Sequence, residues 1–492
     1  MTTKRSNFFR RALALAICLL LAGVFSACAG ESAYDIWLRD GNSGSYSEFL
    51  DSLKGKSAYE LALIKDPAIG SESEWLASLK VGDTTLEELY EFYKTEHPDK
   101  TMDDFMSAFF KDARDPLQDA AQTALRSAVS LRARFGGTFS TSNTLAGSGV
   151  ILSLDRETGV AVIITNYHVL YDSKVSENIR VCPYGKEYFG GAGTGAASLD
   201  LSVKATFIGG SVSKDIAILR TEANSMFKSP EYRAADIADS EQIVVGEAAI
   251  AVGNPEGVGI SATRGIVNVD SEYISMKKID TNSGSVSHRV IRIDAAINSG
   301  NSGGGLYNKD GRLIGIVNAK AVDEQIDNIG YAIPSNVAVG IANSVVDEVK
   351  EDGKFVKYLI GITTQITGSR AVLDERGVMR IREELEVSQV EPGRPSTAIA
   401  AVRDVLLSAR LDRSLRAGGT VGGIGAGGTQ EEDGDAEGGD SAGEIEITRN
   451  FTLSDYLYKA RLGDRVILTV RRNGTEMTLN PITISSRSWT EI

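Results

Sequence analysis

The stretch AINSGNSGGGLYN, Ala296–Asn308, places Ser302 among four glycines, Gly300, Gly303, Gly304 and Gly305. Glycine and serine at this density compose turns and flexible linkers, so the stretch alone allows Ser302 to be a loop residue or a nucleophile. Gly300, Ser302 and Gly304 also satisfy G-x-S-x-G, the pattern of a nucleophile elbow and of other serine hydrolases. The rest of the chain decides between these readings.

A serine hydroxyl is a weak nucleophile at neutral pH and needs a base, most often histidine, to take its proton. The chain has three histidines: His97, His168 in TNYHVL and His288 in SVSHRVIRI, all preceding Ser302. An α/β-hydrolase has its histidine after the serine, so chain order removes the elbow and leaves the His, Asp, Ser order of chymotrypsin-like barrels. His168 ends the apolar run VIITNYH, where a strand-to-loop transition holds the ring at the rim of a core, although a purely structural histidine fits there too. Asp215, in SKDIAIL, stands directly before a strongly apolar run. Burying its charge there is costly without a partner such as an imidazole N–H, and a turn residue is the alternative. Taken together, in this order and with these flanks, His168, Asp215 and Ser302 read as one catalytic set.

Around them the chain breaks into strand-sized β-branched runs separated by Gly, Asn and Asp: GSGVILSL, VAVIITNYHVL, KDIAILR, EAAIAVGNP, GIVNVD, RVIRIDAAI and RLIGIVNAK. Such runs without intervening long helices predict an all-β barrel or sandwich. Residues 115–134 are ambiguous between helix and strand, and PSNVAVGIANSVVDEVKED predicts one helix closing the block. From about Phe355 further strand runs appear, with a helix at LSDYLYKARLG. They are interrupted at about 413–445 by a segment of glycines and acids without aromatic residues, a composition that cannot bury a core.

At 492 residues the chain is multidomain, and its net charge of −14 excludes a nucleic-acid binder that must neutralise phosphate. Residues 1–28 combine Lys4, Arg5, Arg10 and Arg11 with an apolar run, Ala12–Phe25, which reads as an export signal. FSAC resembles a lipobox with Cys28 as the lipidated residue. Cleavage after Ala29 in ACA, giving free secretion, or an uncleaved anchor remain as alternatives. Of three cysteines only Cys28 and Cys182 lie outside the apolar run, so no disulfide framework is implied. No Cys/His spacing suits a metal, and no cofactor is predicted. Residues 29–113 carry two copies of one pattern, SAYDIWLRDGNSGSYSEFLDSLKG from Ser32 and SAYELALIKDPAIGSESEWLASLKVG from Ser57. Capping-box spacings at Ser45/Glu48, Ser71/Glu74 and Thr101/Asp104 predict short helices there. They read as spacers or protein-contact units, and the region resembles surface proteins of Gram-positive bacteria.

The motifs GSGVIL, TNYHV, KDIAIL, AVGNPEG, DAAINSGNSGGGLYN and GYAIPSN resemble those of the trypsin-like HtrA/DegP family of envelope proteases. The resemblance implies a mainly β, multidomain chain: small helical N-terminal repeats, a chymotrypsin-like double β-barrel protease domain at 114–352 and a C-terminal PDZ-like α+β domain at 355–492. It implies His168 as general base, Asp215 as its orienting partner and Ser302 as nucleophile of a serine endopeptidase, with an oxyanion hole at Gly300, Asn301 and Ser302. Uncharged Ala296, with Val317, Asn318 and Ala319 as a pocket wall, implies cleavage after small or medium aliphatic residues; Lys320 departs from the apolar residue expected. YLIGI resembles a carboxylate-binding loop, with Ile360, Gly361 and Ile362 holding a peptide's C-terminus, although IAAVRD departs from the usual AGLxxGD step. The implied partners are unfolded or misfolded proteins, C-terminal peptides and the membrane through Cys28, with a homotrimer as one assembly. A non-proteolytic chaperone or binding scaffold keeping the protease fold is the competing reading.

Overall fold

The computed structural model describes residues 115–136, 143–189, 200–281, 284–318, 329–347, 355–413, 443–485 and 489–491, with scattered positions between 80 and 101. The chain divides into two compact units, Met1–Arg114 and Asp115–Ile492. In the first, Lys80–Val81 pairs antiparallel with Thr84–Thr85. The export signal, Cys28, nearly all of the repeat region and most of the Gly/acidic segment lie outside the described residues. Among the described residues no helix is long and apolar enough to cross a membrane.

The second unit opens with helix α1 (Pro116–Leu125), where the Asp115 side chain accepts the Leu117 N–H and Pro116 needs no partner for its missing N–H. The stretch that was ambiguous in sequence is thus helix first and then strand β1 (Ala128–Phe135). With β2 (Asn143–Leu154), β3 (Ala161–Thr165), β4 (Asn178–Pro183), β5 (Val203–Ser211) and β6 (Ile216–Thr221) it closes an antiparallel barrel in the order β6-β3-β2-β1-β4-β5. A second barrel follows, built from β7 (Ala248–Gly253), β8 (Ser261–Lys277), β9 (Ser285–Ile293), β10 (Gly305–Tyr307), β11 (Leu313–Val317) and β12 (Gly330–Pro334), in the order β7-β8-β9-β12-β11-β10.

Two-sided burial explains why the strands read as unbroken apolar runs rather than alternating ones. In β3, Ala161 and Ile163 point into the first barrel's own core. Val162 and Ile164 instead join a second cluster, shared with Ile250, Val252 and Ile316 of the other barrel and with helix α2 (Ser335–Asp347). Each large aliphatic side chain so buried contributes roughly 1.5–3 kcal/mol. The cleft between the barrels is therefore floored by a rigid layer, and the strand ends at its rim are fixed in position.

After α2 the chain enters a third body through β13 (Val356–Tyr358), which pairs with β21 (Trp489–Glu491). Phe355, just before β13, donates its N–H to the Gly210 carbonyl of β5 at 3.1 Å and stacks on Tyr458 at 5.8 Å. The C-terminal sheet runs in the order β14-β15-β16-β18-β19, from β14 (Ile362–Leu373), β15 (Met379–Val390), β16 (Val405–Asp412), β18 (Arg465–Arg472) and β19 (Thr475–Thr478). Short β17 (Ile445–Glu446) and β20 (Ile482–Thr483) pair with β16 and β18. Helix α3 (Thr452–Tyr456) occupies the helix position expected in LSDYLYKARLG and gives way to a 3₁₀ turn at Leu457–Lys459.

Candidate active site

His168 lies in the 3₁₀ turn Tyr167–Leu170 that directly follows β3, so the buried strand fixes where its ring emerges. Asp215 precedes β6, the neighbour of β3, and adopts φ +55, a left-handed conformation that aspartate tolerates better than most residues. Asn166 Nδ2 donates to the Asp215 carbonyl at 2.9 Å and holds it there. The Asp215 carboxylate is fully buried. It accepts from the His168 backbone N–H at 2.9 Å, His168 Nδ1 at 2.7 Å and Asn318 Nδ2 at 2.9 Å. Burial alone would raise its pKa. The facing His168 imidazole and the two hydrogen bonds from His168 nevertheless hold it below the usual carboxylate value.

An ionised carboxylate only accepts, so Nδ1 of His168 carries the proton and Nε2 presents its lone pair. That lone pair faces Ser302 Oγ at 3.0 Å. Structure therefore brings together the three residues singled out by chain order, two from the first barrel and one from the second.

The loop carrying Ser302 is aimed by backbone contacts. Asn301 donates its N–H to the Asn298 carbonyl at 3.0 Å, and Gly300, third residue of that turn, has φ +95, the combination found in a type II turn. Gly303, at φ +83, has no room for a side chain: a Cβ would stand 2.2 Å from Thr165 Oγ1 and 2.3 Å from the Ser148 carbonyl. Among the described residues the N–H groups of Gly300 and Ser302 have no acceptor. They are the two donors available to an oxygen beside Ser302 Oγ. Asn301, grouped with them on sequence, is a correction, since its amide is consumed in closing the turn.

Asn318 is a second correction. It was placed in the pocket wall, but its side chain is fully buried and donates to Asp215, which would otherwise leave a lone pair unmet. Val317 is buried in the second barrel's core. Ala296 is exposed and its carbonyl accepts from Thr263 Oγ1 at 2.9 Å. Ala319 and Lys320 lie outside the described residues. In the C-terminal sheet Ile360 is buried and Ile362 begins β14, while the Gly361 carbonyl accepts from the Glu391 N–H at 2.8 Å.

Sequence reasoning missed Ser148. Its Oγ donates to the Gly300 carbonyl at 2.6 Å and accepts the Asn254 N–H at 2.7 Å, and its N–H donates to the Ser302 carbonyl at 2.9 Å. Ser148 thus clamps the loop carrying Ser302 to the first barrel. The signal lay in GSGVIL and AVGNPEG, where a lone polar residue interrupts a small or apolar run.

His97 lies outside the described residues, and the other histidine, His288 on β9, is buried. Burial first, and then the charge of Lys214, push its pKa down to about 4, with Asp215 pulling the other way. An unfolded imidazole titrates near ~6.5, so the unfolded chain binds more protons between those values and stability falls as pH drops through that window. Urea unfolding at pH 7 and about 4.5 should show wild type losing about 2 kcal/mol more than His288→Leu. An equal loss in both would remove His288 from the acid response.

Residues 147–316 match the family model of the trypsin-like peptidase domain. The chain carries a trypsin-like peptidase domain homologous to that of the HtrA/DegP serine proteases. It is 31% identical over 347 residues to serine protease Do-like HtrA of Bacillus subtilis, covering 69% of this chain and 64% of that one. Against serine protease Do-like HtrA of Lactococcus lactis subsp. cremoris it is 28% identical over 351 residues, covering 68% and 69%. The chain thus spans just under two thirds of the length of the Bacillus HtrA. A solved structure, the HtrA-type protease AlgW with a decapeptide, aligns at a TM-score of 0.42 with 20% identity, covering 75% of this chain and 98% of that one.

Proposed function

We propose that the chain is an exported HtrA/DegP-like serine endopeptidase that hydrolyses peptide bonds of unfolded or misfolded envelope proteins through His168, Asp215 and Ser302. The observation that carries the reading is the line from buried Asp215 through the His168 ring to Ser302 Oγ, at 2.7 and 3.0 Å. In this reading Nε2 takes the hydroxyl proton as Oγ attacks the scissile carbonyl, and Asp215 stabilises the imidazolium that forms. The Gly300 and Ser302 N–H groups receive the developing oxyanion, each such donor being worth about 3 kcal/mol in the transition state. Nε2 then returns the proton to the leaving amine, and water, activated by the same nitrogen, releases the acyl group from Oγ.

The absence of a carboxylate at Ala296 supports cleavage after small or medium aliphatic residues. The relatives support export to the cell envelope: one of them, from Escherichia coli, is named a periplasmic serine endoprotease. In the same reading Cys28 carries a lipid that tethers the chain to the membrane, and the PDZ-like C-terminal part holds peptide C-termini at Ile360, Gly361 and Ile362.

Digestion of unfolded casein by the full chain tests the proposal, with the cleaved bonds mapped by mass spectrometry. Cleavage that stops when a fluorophosphonate labels Ser302, at bonds following Val, Ala or Leu, is the expected result. Cleavage mainly after Arg or Glu overturns the pocket reading. Intact casein that is nonetheless kept soluble by the chain overturns proteolysis in favour of a binding scaffold.

A further inference from the structure

Behind the triad acid lies a buried group of charges that the hydrolytic reading leaves unused. Arg289 of β9 and Asp455 of α3 form an ion pair whose side chains are both only 5% exposed. The Arg289 guanidinium also lies over the Phe451 ring at 3.9 Å. Among the described residues its Nε and Nη1 have no hydrogen-bond partner, so Asp455 is the acceptor that compensates this buried cation. Two residues earlier on the same strand, the Ser287 carbonyl accepts from Lys214 Nζ at 3.4 Å. Lys214 directly precedes Asp215 in a tight turn, closed by Asp215 N–H to the Val212 carbonyl at 3.3 Å and by Lys214 N–H to Ser211 Oγ at 3.1 Å.

One short stretch of a single strand therefore touches two bodies. The carbonyl of residue 287 holds the turn of the first barrel that bears Asp215, and the side chain of residue 289 holds the C-terminal sheet's helix. Lys357 completes the cluster, donating from Nζ to Ser454 Oγ at 2.8 Å and lying over the Tyr458 ring at 4.2 Å. Arg289, Lys357 and Lys214 are the cations that favour the charged form of Asp455 against its burial. Glu241 stands within electrostatic reach of both Asp455 and Arg289, and Lys459 within reach of Glu241. Asp455, the carboxylate paired with Arg289, thus sits among several cations, one of which is joined to the triad acid by a single peptide bond.

We propose that Asp455 is a positioning residue for the triad: its carboxylate, acting through Arg289 and Lys214, holds the turn Val212–Asp215 and so keeps Asp215 aimed at His168. Without that charge Arg289 and Lys357, both buried, and half-buried Lys214 repel one another, and Lys214 is the member on a short turn free to give way. The C-terminal body then contributes to the chemical step by its docked charge alone, whether or not a peptide occupies it. This inference rests on the proteolytic reading of His168, Asp215 and Ser302.

The test compares full-length wild type, Asp455→Asn and Asp455→Glu by steady-state hydrolysis of one peptide and by amide hydrogen exchange. Asp455→Asn should lower kcat about tenfold with KM changed less than about twofold, and should speed exchange at residues 211–218. Asp455→Glu should recover most of both. Exchange that rises at 449–461 while 211–218 and kcat stay at wild-type values overturns the proposal. Should Asp455→Asn not fold, Lys214→Met, which leaves the Arg289–Asp455 pair in place, carries the same test: faster exchange at 211–218 supports the link and unchanged exchange overturns it. If wild type hydrolyses no peptide, the proteolytic reading fails, and the exchange data still decide whether Asp455 holds the turn.

Discussion

Ser302→Ala should leave the chain folded and lower kcat on a peptide substrate by about six orders of magnitude. Folding is spared because what anchors this position is backbone: the Ser302 carbonyl receives the Ser148 N–H at 2.9 Å whatever the side chain. The ground state gives up only one hydrogen bond, from the Ser302 hydroxyl to Nε2 of His168. In the proposed mechanism the reaction loses its nucleophile altogether, and only the Gly300 and Ser302 amides and substrate binding remain to assist water. Because the members of such a set act as a unit, adding His168→Ala to Ser302→Ala should cost little more. Single-turnover rates for the three variants, with thermal unfolding as a fold control, measure this. A double variant that loses far more than Ser302→Ala would mean that His168 and Ser302 serve different steps.

Asp215→Asn should lower kcat by about four orders of magnitude while leaving the site's geometry nearly unchanged. The carboxylate accepts three N–H groups, one from the His168 backbone, one from its Nδ1 and one from Asn318. An amide cannot accept them all. With its oxygen on the His168 backbone N–H, its NH2 faces both Nδ1 and Asn318 Nδ2; the imidazole then turns Nδ1 into an acceptor, and Nε2 carries a proton toward Ser302 instead of taking one. The opposite orientation sets two donors against each other at the backbone. Asn318→Ala in the Asp215→Asn chain should relieve part of the stability loss without restoring the rate. A rate for Asp215→Asn within tenfold of wild type would show that Asp215 does not set the tautomer.

The barrels were legible because two-sided burial writes strands as continuous apolar runs, and the site was legible because the order of His168, Asp215 and Ser302 excludes the competing elbow. Other parts depend on contacts between segments remote in sequence. Nothing near Asn318 reveals that its amide turns inward, since the oxygen it meets belongs to the other barrel, 103 residues away. Asn301 looks like a third donor until the Asn298 turn claims its N–H. Ser148 stands in GSGVIL, a motif that marks the strand, but its contact with Gly300 arises only when that loop is laid against it. Arg289 and Asp455 stand 166 residues apart, and only docking of the C-terminal sheet makes them a buried pair.

The connection at Phe355–Tyr358 has a mechanical consequence. Its first residue is hydrogen-bonded to β5 and stacked on Tyr458, and the next three are zipped to Trp489–Glu491. A polypeptide held this way is a splint rather than a swivel. The C-terminal sheet is braced against the first barrel through β5 and meets the double barrel at one bearing.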